Sequence, residues 1–236
     1  ATDSADIAAI RPALNGEMAA AVTKLMSNMD LVLAARKATV VVKAKTTLGL
    51  PGRLSARLQP NHPSDSIEGI RASIFEGLSY GAGDAVIGIN PVFDTADTVA
   101  RLLDDTATLI EKLAVPTQNC VLSHITTQIK AIERGARAGL IFQSIAGSEA
   151  GNRAFGIDAA LIQEAYELGS TQHTEDELFM YFETGQGSEL SSRTHNDADQ
   201  VTLEARCYAF CRLYNPFLVN DVVGFIGPEY LASGKQ

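Results

Sequence analysis

Arg57, Gln59, Asn90 and Glu183 offer a guanidinium, two carboxamides and a carboxylate. A carboxylate holds a cation, and the other three groups hold a hydroxyl or a carbonyl by charge-assisted or neutral hydrogen bonds. Each also has a plainer use. Arg57 can pair with an acidic neighbour, Gln59 and Asn90 can cap backbone groups at strand ends, and Glu183 can serve in a buried ion pair. Polar groups recur at the C-terminal end of one β-rich run after another: Gln59, Asn90, His124, Gln143 with Ser144, Glu183, and Asn220 with Asp221.

Those runs cover residues 39–45 continuing at 54–59, then 84–90, 119–126, 140–145, 178–183 and 216–223. Between them lie stretches of helical period: Ile67, Ile70, Ile74 and Leu78; then Val99, Leu102, Leu103, Leu109, Ile110 and Leu113; then Ile125, Ile129 and Ile132; then residues 155–168 and 201–213. Residues 15–37 read as one amphipathic helix, after a short leader. Nearly continuous apolar strands alternating with helices are the mark of parallel βαβ units. A ring of polar groups at successive strand ends suits the mouth of a (β/α)8 barrel better than the single switch point of a doubly wound sheet. The expected fold is therefore an α/β TIM-type barrel with about six βα units present. Residues 1–37 form an N-terminal leader and helix, and residues 38–236 the barrel domain, incomplete at its C-terminal end.

Other chemistries are poorly provided for. No phosphate-binding P-loop or nucleophile elbow occurs, and the glycines at Gly81 and Gly83, with Gly88 inside the next run, lead into a strand where a dinucleotide fingerprint would follow one. His62 stands in Asn61-His62-Pro63, not in the His-x-His pair of metal-dependent barrel hydrolases, and it and His124 read as hydrogen-bonded structural groups. No metal site is expected. Cys207 and Cys211 sit one helical turn apart with no further Cys or His ligand nearby, and read as packing residues. A Schiff-base lysine enzyme would need a lysine at a strand end, for which Lys43 and Lys45 are the candidates.

With 28 acidic against 19 basic residues and no basic cluster, nucleic acid is not an expected partner. No apolar run reaches the roughly 20 residues that span a bilayer, so no membrane contact is expected. Three cysteines, an odd number, point to a reducing compartment, and a cytoplasmic location is expected.

The longest distinctive strings are residues 48–53, 57–63, 83–91, 139–144, 181–188 and 222–231, the fifth reading Tyr181-Phe182-Glu183-Thr184-Gly185-Gln186-Gly187-Ser188. At these strings, in this order, the chain resembles the heavy chain of ethanolamine ammonia-lyase. The resemblance runs from about Asn15 to Leu231. It implies an adenosylcobalamin-dependent radical deamination of ethanolamine to acetaldehyde and ammonia. It places Arg57, Gln59, Asn90 and Glu183 on the substrate with the ring of Phe225 beside it, and Pro91, Gln143, Ser144, Ser191 and Phe155 toward the cofactor. It further implies a light subunit as partner, a homo-oligomer of heavy chains, and ethanolamine utilisation in the cytoplasm or in a bacterial microcompartment.

The family pattern continues past residue 231 with further barrel strands and a substrate-contacting aspartate, so the chain reads as truncated at both ends and is expected to be inactive alone. Glu189 stands where the family has a small residue, and residues 193–197 are more polar than the pattern. The alternative is a truncated non-catalytic paralogue that keeps the barrel fold and partner binding.

Overall fold

The computed structural model describes residues 3–185 and 193–221. It opens with three short helices, α1 (Ser4–Ile10), α2 (Gly16–Leu25) and α3 (Asn28–Lys37). The single helix expected over residues 15–37 is thus two. Ser27 interrupts it as the N-cap of α3, accepting from the Asp30 N–H while Asp30 accepts from the Ser27 N–H, and this reciprocal capping box outweighs the continuity of the apolar stripe. Helix α2 is bound to the rest of the fold by ion pairs from Lys24 to Asp199 (2.6 Å) and from Arg206 to Glu17 (2.8 Å).

Residues 39–45 do not run on into 54–59. They turn back as an antiparallel hairpin, β1 (Val42–Lys43) with β2 (Thr47–Leu48). Gly49, at a φ of 86°, makes the return possible, because a Cβ there would lie 1.9 Å from the Val40 carbonyl oxygen. The first parallel strand, β3, is then only Arg57–Leu58.

Five more strands follow, each after at least one helix: α4 (Ile67–Ser79), β4 (Val86–Ile89), α5 (Ala96–Leu113), β5 (Asn119–Val121), α6 (Ile125–Glu133), β6 (Ile141–Ile145), α7 (Glu149–Ala154), α8 (Ala159–Ser170), β7 (Met180–Thr184), α9 (Gln200–Cys211) and β8 (Leu218–Asn220). Strand β5 ends at Val121, short of residue 126, because His124 already caps α6. The helix expected at 155–168 begins only at Ala159, on the Asp158 cap, after Gly156 (φ 72°) leads the chain out of α7.

All six strands run parallel in sequential order, as β3-β4-β5 and β6-β7-β8. One backbone bond, from Leu140 N–H to Asn119 O (2.9 Å), joins the two sheets. Beyond it, the Gln128 amide takes the place of a strand partner, accepting from Phe142 N–H (2.9 Å) and donating to the carbonyls of Phe142 (2.6 Å) and Ser123 (2.8 Å). Sequential parallel pairing is the order of a barrel wall. Within the described residues that wall is an open arc, with β3 paired only to β4 and β8 only to β7.

Because side chains alternate along a strand, the arc carries two separate cores. On its outer face Ile87, Ile89, Val121, Ile141, Ile145, Met180 and Phe182 pack against helices, through Ile70 and Ile74 of α4, Val99, Leu102, Leu103, Leu109 and Ile110 of α5, and Cys207 and Cys211 of α9. The α5 contacts recur at spacings of three and four, the stripe of an amphipathic helix begun by the Thr95 cap. On the inner face Val86, Cys120, Leu140, Phe142 and Tyr181 form the second core with Ala44, while Val42 and Leu48 of the hairpin cover one end. The hairpin is fixed there by Leu178 N–H to Lys43 O (3.1 Å) and Gln118 Nε2 to Thr46 Oγ1 (2.8 Å).

Candidate functional site

Above the apolar part of the inner face, toward the C-terminal strand ends, the side chains become polar. Arg57 and Gln59 come from β3 and the residue after its end, Asn90 from the end of β4, Ser144 from β6, Glu183 from β7 and Asn220 from β8. Register puts Ser144, Glu183 and Asn220 side by side on one face, one step above the row of Phe142, Tyr181 and Leu218.

Arg57 is the hub. Its Nη2 donates to Gln59 Oε1 (2.9 Å) and Asn90 Oδ1 (3.2 Å), and its Nη1 donates to the phenol oxygen of Tyr181 (2.8 Å). Gly88 makes the space, since a Cβ there would sit 3.2 Å from Arg57 Nε and 3.0 Å from a Leu122 methyl. Nε itself is buried without a hydrogen-bond partner among the described residues. No carboxylate pairs with the guanidinium among the described residues, so its charge faces the inner space instead of being cancelled locally.

Tyr181 is wholly buried, its ring edge-on to Phe142 at 5.2 Å between centroids. Burial pushes its ionisation up to about 12, with the Arg57 cation only partly opposing, so the phenol is neutral at ordinary pH. Two residues further along β7, about 6.6 Å at the usual rise of a strand, Glu183 projects from the same face and accepts a hydrogen bond from the Asn220 amide.

The loop after β3 locks this arrangement. Asn61 Oδ1 accepts from the Asn90 backbone N–H (2.8 Å) and so fixes the end of β4. Asp65, buried and at a φ of 51°, accepts from the N–H groups of Val92 and Phe93 (each 2.9 Å at its closest). His62 Nδ1 accepts from Ser66 N–H (3.4 Å), and the His124 ring accepts from Thr126 N–H through Nδ1 and donates through Nε2 to the Phe155 carbonyl (2.9 Å). Both histidines therefore brace loops. No group of three His, Cys, Asp or Glu able to hold a metal occurs among the described residues.

The structure thus brings together Arg57, Gln59 and Asn90, with Glu183 on the same face. The residues assigned toward the cofactor divide. Pro91 follows Asn90, and Ser144 stands half-buried beside Glu183 with a hydroxyl that has no hydrogen-bond partner among the described residues. Phe155 lays its ring over Gly185, where a Cβ would be 2.4 Å away. Gln143 projects from the opposite face of β6 from Ser144 and is buried, with Oε1 accepting from Ile125 N–H (2.9 Å), so it serves the start of α6. Ser191 and Phe225 lie outside the described residues. Tyr181, Gly88, Asn61 and Asp65 are the site's unforeseen members. For Tyr181 a signal existed in the sequence, since a residue two before Glu183 on one strand must share its face.

The whole chain, residues 1–236, matches the family model for the ethanolamine ammonia lyase large subunit. It is 54% identical over 232 residues to the ethanolamine ammonia-lyase large subunits of Escherichia coli (strain K12) and of Salmonella typhimurium. The aligned part is 98% of this chain and 51% of the Escherichia coli protein, so the chain spans about half the length of the curated relatives it matches. No helix among the described residues is long and apolar enough to cross a membrane.

Proposed function

This chain belongs to the family of ethanolamine ammonia-lyase large subunits, and from that premise we propose that its inner strand face binds ethanolamine for deamination to acetaldehyde and ammonia. The observation that carries the proposal is the pairing of opposite functions on one face. Arg57, uncancelled by any carboxylate among the described residues and held by Gln59, Asn90 and Tyr181, faces the same space as Glu183. Glu183 accepts the substrate ammonium, with Asn220 holding the carboxylate in place. Arg57 and the amides of Gln59 and Asn90 take the hydroxyl, and Phe225 is proposed as an aromatic neighbour of the substrate.

The arc fits the wall of a (β/α)8 barrel with six units present, with residues 1–37 as an N-terminal helical segment and 38–236 as the barrel part. In a closed barrel the space above Tyr181 and Phe142 is shielded from water, which strengthens both charged contacts.

The cofactor proposed is adenosylcobalamin. The strand-end groups fit it in part. Ser144 presents a hydroxyl unpaired among the described residues beside Glu183, and Pro91 and Phe155 border the same end, with Ser191 proposed alongside. The Gln143 amide is already spent on α6. When bound, the cofactor supplies the hydrogen-abstracting radical chemistry that no side chain offers. This chain's residues bind and orient the substrate and keep water from it. The proposed partners are a light subunit and further heavy chains, and the proposed setting is ethanolamine utilisation in the cytoplasm or a bacterial microcompartment.

Glu183→Gln tests the proposal in the complete enzyme with its partner subunit and cofactor. The glutamine keeps an acceptor for Asn220 and removes the charge facing the ammonium. Losing one charge-assisted bond costs about 1.5–3 kcal/mol, so kcat/KM should fall roughly 10- to 150-fold. Undiminished turnover would take Glu183 out of the site.

A further inference from the structure

The Arg57 guanidinium has five N–H groups. Two on Nη2 are taken by Gln59 and Asn90, one on Nη1 by Tyr181, and Nε lies against the bare Cα of Gly88 without a partner among the described residues. Gln59 and Asn90 are both exposed side chains, and both act on the same nitrogen. These two acceptors orient the fork only as firmly as they are themselves held, and exposed amides can shift together with it. The contact at the second nitrogen anchors it to the core. It comes from the most rigid member of the set, a fully buried tyrosine with two side-chain torsions, its ring wedged edge-on against Phe142.

We propose that Tyr181 is a positioning residue for the substrate hydroxyl: its phenol oxygen and the Cβ-free surface of Gly88 clamp the Arg57 guanidinium from two sides and fix which N–H groups face the ligand. The inference rests on the assignment of Arg57 to the hydroxyl made above. Burial keeps the phenol neutral and so keeps it a lone-pair acceptor and not a counter-ion, which leaves the charge of Arg57 available to the ligand. Tyr181 also forms the floor beneath Glu183, two residues away on the same face, so one strand sets both ends of the site: the carboxylate directly, the guanidinium through its neighbour. Arg57 cannot be replaced by lysine in this scheme, because a single ammonium has no second nitrogen to be held.

The test compares two ligands that differ only in the hydroxyl, ethanolamine and ethylamine, by calorimetric titration of the complete enzyme. Tyr181→Phe keeps the ring against Phe142 and removes the oxygen. Its expected effect is a drop of about three- to tenfold in the preference for ethanolamine over ethylamine, the weight of one hydrogen bond, with ethylamine affinity within about twofold of the parent. Arg57→Ala is the control and should cut the preference further than Tyr181→Phe does, leaving only what the amides of Gln59 and Asn90 retain. If Arg57→Ala cuts it and Tyr181→Phe leaves it intact, or weakens both ligands equally, Tyr181 is structural and the inference is overturned while the proposed function stands. If Arg57→Ala itself keeps the preference, the assignment of Arg57 to the hydroxyl fails, and the inference with it. Should Tyr181→Phe not fold, Gly88→Ala pushes the same guanidinium from the other side, and an unchanged preference there overturns the inference.

Discussion

Glu204 is a carboxyl that the fold holds against its own ionisation, which makes it a pH-dependent weak point. It lies on α9, 8% exposed, with Thr184 from the end of β7 and Asp221 just after β8 as neighbours. Asp221 is the better served of the two acids, accepting from Tyr208 Oη (2.5 Å) and Thr184 Oγ1 (3.3 Å). Burial raises the ionisation of Glu204, the adjacent Asp221 carboxylate raises it further, and Thr184 and Gln200 offset this only in part, so it stands at about 7 against an ordinary 4.5. The consequence for stability has a definite sign. A carboxyl whose folded value lies above its unfolded value binds its proton more tightly in the folded state. Its contribution is complete below about pH 4.5 and is lost as pH rises through about 7. At about 1.4 kcal/mol per unit of difference, and less where solvent at Asp221 screens the charge, the loss by pH 8 is on the order of 2–3 kcal/mol.

Glu204→Gln removes the proton exchange and keeps the size. The expected outcome is a variant whose advantage over the parent is absent near pH 4 and grows between pH 5 and 8. Near pH 8 this corresponds to a rise in unfolding temperature of roughly 4–10 °C for a protein of this size. Urea and thermal unfolding of both proteins, followed by circular dichroism from pH 4 to 8.5, measure it. Since carboxyls away from this pair titrate alike in both proteins, the difference curve isolates Glu204 together with its response to Asp221. Parallel curves would refute the reasoning and show that Glu204 ionises normally in the folded state.

Two further substitutions test how the frame holds the site. Gln143→Leu should destabilise the protein by about 1–3 kcal/mol, because it leaves the buried Ile125 N–H without an acceptor; unchanged stability in urea together with weakened cofactor binding would return Gln143 to the cofactor. Gly147→Ala places a Cβ 2.2 Å from the Leu203 carbonyl oxygen, a backbone contact that a shift of α9 or of the loop after β6 must relieve. It should cost about 1–3 kcal/mol, read from the denaturation midpoint, and an unaffected midpoint would show that α9 or that loop is free to move.

Among the described residues, the order and direction of the parallel strands were legible in the sequence because each buried strand is a short apolar run set between amphipathic helices. Residues 84–90, 140–145 and 178–183 coincide with β4, β6 and β7 to within one or two residues. What failed were the places where a short polar motif overrides an apolar pattern. The Ser27 capping box cuts one helix into two, and the tight turn at residues 44–46, with Gly49 clearing Val40, folds residues 39–45 against the next segment to cover the inner core. Such events depend on one or two hydrogen bonds or on a positive φ, and hydrophobic periodicity does not register them.

The site shows the same division at finer scale. Gln143 and Ser144 are adjacent, equally polar, and both at the end of β6, so composition treats them alike. The pleat does not. One residue of offset turns Gln143 to the helical side, where it caps α6, and Ser144 to the inner side, in register with Glu183 and Asn220. Applied to β7, the same parity joins Tyr181 to Glu183 and separates both from Phe182, which packs in the outer core. The chemistry of the strand ends therefore comes from alternate residues only. The intervening ones bind the helices that hold the strands in place, and the positioning of Arg57 by Tyr181 follows from the strand that also carries the carboxylate.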